Sequence, residues 1–265
     1  MAEPARSVYN PGMMKTGDAF RALSSLGEMR VWSLLITIFG DAVLPRGGRV
    51  PASALQAVLE QLGIKPEAMR VALHRLVKDG WVIREKSGRQ SFYRLDPAGE
   101  QEFLTAQKRI YANAPALSDP WRLIVTQGAA PGFIPLAEGV ALGMLGTDLP
   151  EDALVVTGSV DALPDWVMAR LAPEPLPEEY TQLEDALEKA KASLPLDPGL
   201  AAALRILVIH QWRRLLLRHA DLPAAFFPEH WRGEACRGLV LDLHASLSIQ
   251  ADPWFDAAVG AQVGS

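Results

Sequence analysis

The stretch PASALQAVLEQLGIKPEAMRVALHRLVKDGWVIREKSGRQSFYRL, residues 51–95, holds two helical patterns, a tight break between them, and two strand patterns around a glycine. Leu55, Val58, Leu59 and Leu62 recur at helical spacing, so the first helix has one apolar face. Gly63-Ile64-Lys65 ends it, and Pro66 suits the first turn of the next helix, where a missing N–H has no partner to lose. On that second helix Met69, Ala72, Leu73 and Leu76 line one side. Glu67, Val71, His74, Arg75 and Lys78 occupy the other, with Arg70 on its flank. Gly80 closes the helix as a residue beyond a C-cap does. Residues 81–86 and 91–95 are β-rich and flank Ser87-Gly88-Arg89-Gln90, which reads as a hairpin. Helix, turn, helix and hairpin is the winged helix-turn-helix order. A DNA-binding module is expected.

A helix fits the major groove, where residues near its N-terminus reach base edges and cationic neighbours hold phosphates. The candidate DNA contacts are Lys65, Glu67, Arg70, Val71, His74, Arg75 and Lys78 around the second helix, with Lys86, Arg89 and Gln90 at the hairpin. An ordinary helical hairpin would also carry Lys and Arg on its solvated side. The ordered combination with a basic hairpin favours DNA.

Charge distribution agrees. The net charge is −5, yet residues 1–110 hold 16 Lys and Arg against 11 Asp and Glu, while the remainder holds 10 against 20. A basic front and an acidic rear separate a nucleic-acid surface from parts that DNA would repel. A length of 265 residues allows two or three compact domains. The single cysteine, Cys236, excludes an intrachain disulfide or a multi-cysteine zinc site and reads as a small buried hydrophobe. No apolar run approaches the length of a membrane span, and the N-terminus lacks signal-peptide character, so a cytoplasmic protein is expected.

Outward from the central stretch, residues 1–27 read as a flexible arm with one helical turn near 19–26. Residues 28–112 form the winged domain: EMRVWSLLITIFG supplies its first core helix, with Trp32, Leu35, Ile36 and Phe39 on one stripe, and a linker helix follows Asp96-Pro97. Residues 41–48 are a connector that Pro45 and the glycines keep from being a regular helix. Residues 113–120 are a polar linker. A small α+β domain is expected over 113–175, with strands at 121–126 and 153–158 and helices at 134–145 and 164–171. Residues 176–265 are a helical domain, with helices at 178–194, 197–219 and 233–247.

No catalytic or cofactor motif occurs. Gly139, Gly143 and Gly146 miss the dinucleotide spacing, and there is no phosphate loop or nucleophile elbow. His74, His210, His219, His230 and His244 form no metal-ligand spacing, so neither metal nor cofactor is expected. One acidic-half segment stands out, LRILVIHQWRRLLLRH over 204–219. Its four arginines in an apolar helix need partners: surrounding carboxylates, or a phosphate- or carboxylate-bearing ligand held by His210, Arg213 and Arg214. Arg122, beside Trp121, is a further candidate for such a ligand.

The runs LLITIFGDAVLPRGGRV (34–50), IKPEAMRVALHRLVKDGWVIREKSGRQSFYRLDPAG (64–99) and RILVIHQWRRLLLRHADLPAAFFPEHWRGEACRGLVLDL (205–243) resemble the phenylacetic-acid catabolon repressors, the PaaX-like transcriptional regulators. The pairing of FGDxxxPRGG with a distant His-x-x-Arg-Arg carries the likeness. The resemblance implies a multidomain α+β fold: an N-terminal winged helix-turn-helix, a central ferredoxin-like (Cas2-like) domain and a helical C-terminal domain. It implies a homodimeric repressor of double-stranded operator DNA, released by an aryl-acyl-coenzyme A, typically phenylacetyl-CoA. It also supports Arg70, His74 and Arg75 as recognition positions, and makes Arg213 and Arg214 counterparts of the family's paired arginines. Residues 127–135, GAAPGF included, depart from the pattern. Two other classes fit parts of the sequence: an enzyme acting on a CoA thioester or nucleic acid with an appended winged helix, and a winged-helix adaptor between proteins. The missing catalytic motifs weigh against the first, the basic helix face against the second.

Overall fold

The structure, a computed structural model, describes residues 17–113, 121–144, 147–158, 160, 162–195, 197–220 and 222–260. Most of the arm and of the 113–120 linker therefore lie outside the described residues. The fold is α+β, with two small antiparallel sheets among helices.

The front unit begins with α1 (Asp18–Ser24) and α2 (Val31–Ile38). Residues 18–24 are no part of a free arm: Phe20 and Leu23 are buried, because α1 packs on the rear helices. Beyond α2 the chain widens into one π-helical turn, Phe39–Val43, and tightens into a 3-10 turn, Leu44–Arg46. Gly40 is needed there, since a Cβ would lie 1.8 Å from the Phe103 ring. Strand β1 (Arg49–Pro51) leads to α3 (Ala52–Gln61) and α4 (Pro66–Lys78), then β2 (Val82–Ser87), β3 (Gln90–Leu95) and α5 (Pro97–Ile110). The sheet order is β1-β3-β2. Ser87 faces Gln90, so Gly88-Arg89 is a two-residue turn, with Gly88 at φ +58° where a primed turn requires a positive angle. Asp96 caps α5 by accepting from the Ala98 N–H at 3.0 Å.

The central region differs from expectation. Strands β4 (Trp121–Val125), β5 (Ile134–Ala137), β6 (Val140–Met144) and β7 (Leu154–Val156) form one sheet of order β5-β6-β4-β7, and α6 (Asp165–Leu171) follows. The helix expected over 134–145 is instead the β5–β6 hairpin. Pro135 lacks a donor, Gly139 turns the chain at φ +68°, and Phe133 lies over Gly143, where a Cβ would come within 2.6 Å of its ring. No helix lies between β4 and β5, so the helix that a ferredoxin-like order places after its first strand is absent.

The rear comprises α7 (Leu176–Ala192), α8 (Pro198–Leu216) and α9 (Gly233–Gly260). The last helix runs well past residue 247, through Pro253, because Ala251, Phe255 and Val259 continue its buried face. Helix α8 is apolar nearly all round and must be surrounded to be stable. It is: α2, α3, α5, α7 and α9 all pack on it. One hydrophobic core consequently runs without interruption from Ala19–Ile110 residues to Leu176–Val259 residues, while the central sheet joins two smaller clusters, one of them shared with α6 and with Leu222, Phe226 and Phe227 between α8 and α9.

Candidate nucleic-acid interface and junction cavity

Helix α4 divides cleanly. Met69, Ala72, Leu73 and Leu76 are buried, against α2, α3 and β2. Lys65, Glu67, Arg70, Val71, His74, Arg75 and Lys78 are all exposed, as are Lys86, Arg89 and Gln90 on the hairpin. The cations are held loosely. Arg70 donates to Glu67 within the helix at 3.1 Å and Arg75 to Asp79 at its C-cap at 3.4 Å, and the Arg75 guanidinium lies 6.0 Å from the centre of the Trp32 ring. Exposed pairs of this kind contribute at most about 1 kcal/mol, so a stronger anion can displace the carboxylate. Deeper in the hairpin, Arg49 and Arg94 both donate to Glu85, at 3.0 and 2.7 Å. These hydrogen bonds hold the Glu85 carboxyl below its usual range, against a small opposing effect of burial.

The residues expected to hold an effector do not converge on an opening. His210 is buried, with Nδ1 at 3.1 Å from Thr37 Oγ1; burial, with Arg213 and Arg214 nearby, pushes its pKa down to about 3. Arg213 donates to Thr37 Oγ1, the Ser33 carbonyl and Ser33 Oγ, at 2.9, 3.1 and 2.8 Å. Its burial lowers its pKa to about 10. Arg214 donates to the Leu26 carbonyl at 2.6 Å. The His-x-x-Arg-Arg motif thus fastens α8 to α2 and to the chain before it. Arg122, half-buried opposite Gly143 on β4, belongs to the central sheet.

The cavity lies elsewhere on the same seam. About 400 Å³ in volume, it is walled by the π-helical turn and Arg46 from the front, by Gln107 and Tyr111 from α5 and its end, and by Arg205, His244 and Asp252 from α8 and α9. Asp41 is its centre. One carboxylate oxygen accepts from Tyr111 OH at 2.7 Å and faces His244 Nε2 at 3.0 Å; the other accepts from Arg205 Nε at 2.8 Å. Arg205 also donates to the Asp41 carbonyl, Ser248 Oγ and Asp252, and Arg46 joins Asp252 to Asp256. Burial would raise the Asp41 carboxyl, but the His244 hydrogen bond and the Arg205 charge outweigh it and hold it below the carboxylate range. Burial beside Asp41 raises the Tyr111 phenol.

These cavity residues escaped the sequence reading. The available signal was a charge inside an apolar run: Asp41 in FGD, and Arg205 opening RILVI. Carboxylate partners do hold Arg205 and Arg218, the latter through Glu179, whereas Arg213 and Arg214 are held by carbonyl and hydroxyl oxygens. Among the described residues no group of three or more His, Cys, Asp or Glu stands placed for a metal ion, and no helix is long and apolar enough to cross a membrane.

Two family models match this chain, PaaX-like protein over residues 30–99 and PaaX-like protein C-terminal domain over residues 174–257. Together they span more than half of its length. The chain belongs to the PaaX-like family. The two matched stretches of this PaaX-like protein are the ones that share the continuous core. It is 27% identical over 248 residues to the transcriptional repressor PaaX of Escherichia coli (strain K12), covering 80% of this chain and 78% of that one. A solved chain, the uncharacterized protein Rv0674 from Mycobacterium tuberculosis, aligns over 82% of this chain and 96% of its own. Its TM-score is 0.48 at 20% identity.

Proposed function

We propose that this PaaX-like protein is a transcriptional repressor, not an enzyme, that binds double-stranded operator DNA as a homodimer and leaves it when a small-molecule effector binds. The observation that carries the reading is the division of α4: an apolar face packed against α2, α3 and β2, and an opposite face of exposed Arg70, His74, Arg75 and Lys78. In this reading residues 31–95 act as a winged helix-turn-helix. Helix α4 enters the major groove, with Lys65, Glu67, Arg70, Val71, His74 and Arg75 reaching base edges or phosphates; Lys86, Arg89 and Gln90 touch the flanking backbone. One such unit reads few base pairs, so two copies on an inverted repeat supply specificity.

The effector class is an aryl-acyl-coenzyme A of the phenylacetyl-CoA kind, as a relative of a repressor named PaaX would use. The junction cavity has the size of small-ligand sites. Its half-exposed Asp252 and exposed Asp256 would repel phosphates, so it suits the acyl end and the neutral amide arm, with the phosphates outside. A ligand wedged between Asp41 and α9 would bias the end of α2, and α2 packs on α4. Release is then a population shift toward a dimer whose two recognition helices no longer match the operator.

The test is fluorescence-anisotropy titration of the full chain on its own upstream DNA, with and without phenylacetyl-CoA. Arg70→Ala and Arg75→Ala should each weaken binding by roughly 1–3 kcal/mol with folding intact, and phenylacetyl-CoA should release wild type. Unchanged affinity in both variants would reject the DNA-contact assignment; unchanged affinity with phenylacetyl-CoA would reject that effector.

A further inference from the structure

Val71 sits in the middle of the exposed face of α4, with Glu67 one turn before it and His74 and Arg75 one turn after. It is 72% exposed, against 37% for Val77 on the same helix. Folding does not account for it. A β-branched residue is a poorer helix former than alanine, and at this exposure it gains no burial in return. An apolar side chain among charged groups fits a partner that is apolar at one point and polar around it. In the major groove that point is the C5-methyl of thymine, set among hydrogen-bonding base edges and phosphates.

Resting on the DNA-binding reading, we infer that Val71 is a specificity-determining residue that packs on a thymine methyl. It selects a T·A pair at one position of each half-site. Its neighbours divide the work: Arg70, free to leave Glu67, takes a purine edge beside that thymine, and Arg75 and Lys78 hold phosphate. A second protein docking on this apolar spot is the competing occupant, and the basic surroundings argue against it.

Deoxyuridine differs from thymidine only by the missing methyl, so it removes this contact and nothing else. The full chain is titrated against its footprinted operator, with each thymine in turn replaced by deoxyuridine. Wild type should lose about fourfold in affinity at one position per half-site, the effect of one buried methyl. Val71→Ala, which keeps the helix, should lose a similar factor on the thymine duplex and no longer distinguish deoxyuridine there. Deoxyuridine duplexes that all bind like the parent, or a Val71→Ala variant that still discriminates, would overturn the inference while leaving DNA binding intact. A chain that binds no duplex would overturn the DNA reading as well.

Discussion

Arg75 and Arg205 are the same side chain in opposite settings. On α4 the Arg75 side chain is 66% exposed and meets Asp79 at 3.4 Å; on α8 that of Arg205 is 3% exposed and meets Asp41 at 2.8 Å, with Ser248 and Asp252 as further partners. Water screens the first, so its pairing is weak and its charge remains available to an outside anion. The second lies where an unpaired charge would be very costly, so its pairing is obligatory and its charge serves the seam. Exposure, and not residue type, assigns the arginines of this protein their work.

The contrast is sharpest at Arg205. Arg205→Ala should lower unfolding free energy by about 3–5 kcal/mol, because Asp41 loses a buried partner, whereas Arg75→Ala should change it by less than about 0.5 kcal/mol. Urea unfolding of the two variants checks this. Equal stability would mean that the seam tolerates an unpaired carboxylate and that the two settings are not different in kind.

Next comes acid sensitivity, carried by two buried histidines: His210 on the seam, and His219, whose ring meets Tyr180 on α7 and the Phe227 and Trp231 rings. An unfolded histidine takes up its proton near pH 6.5, while burial keeps His210 neutral to about pH 3 and His219 to about pH 4. Over that window the unfolded chain binds more protons, so stability falls as pH drops below 6.5. The slope should approach 1.4 kcal/mol per pH unit for each histidine, on the order of the value for one titrating group. Replacing His219 with Gln should remove its share. Urea midpoints that do not move between about pH 7 and pH 5 would show both rings exposed to solvent. The depressed Asp41 carboxyl acts in the same direction at lower pH, being protonated only as pH falls through its folded value.

The smallest expected effect belongs to the hairpin tip. Lys86→Ala and Arg89→Ala should leave stability unchanged and weaken operator binding uniformly across sequences, reducing the slope of log affinity against log salt by about one for each lost phosphate contact. Salt-series titrations decide it. An unchanged slope would remove the hairpin from the interface.

Much of the front unit was legible because its signals are local. Met69, Ala72, Leu73 and Leu76 lie three or four residues apart, Gly80 and Pro66 bound their helix, and each statement needs only neighbours in sequence. The 134–145 segment misled for the complementary reason. Its apolar residues suit either period, and the choice fell to β4, from which residues 140–144 take their hydrogen bonds. The cavity was illegible because it joins Asp41, Tyr111, Arg205 and His244, which no spacing rule connects.

The amino-acid sequence by itself determined the family, the two-faced α4 with its basic hairpin, and the separation of a basic front from an acidic rear. All three follow from residue type and local period. Only the tertiary structure decided what the rear arginines do. It set Arg213 and Arg214 against Ser33, Thr37 and Leu26, and Arg205 against Asp41, merging front and rear into one core. The physical reason is burial: a charge declares its role by the partners that compensate its lost water, and for Arg205 and Arg213 one of those, Asp41 or Thr37, lies more than 150 residues away in the chain.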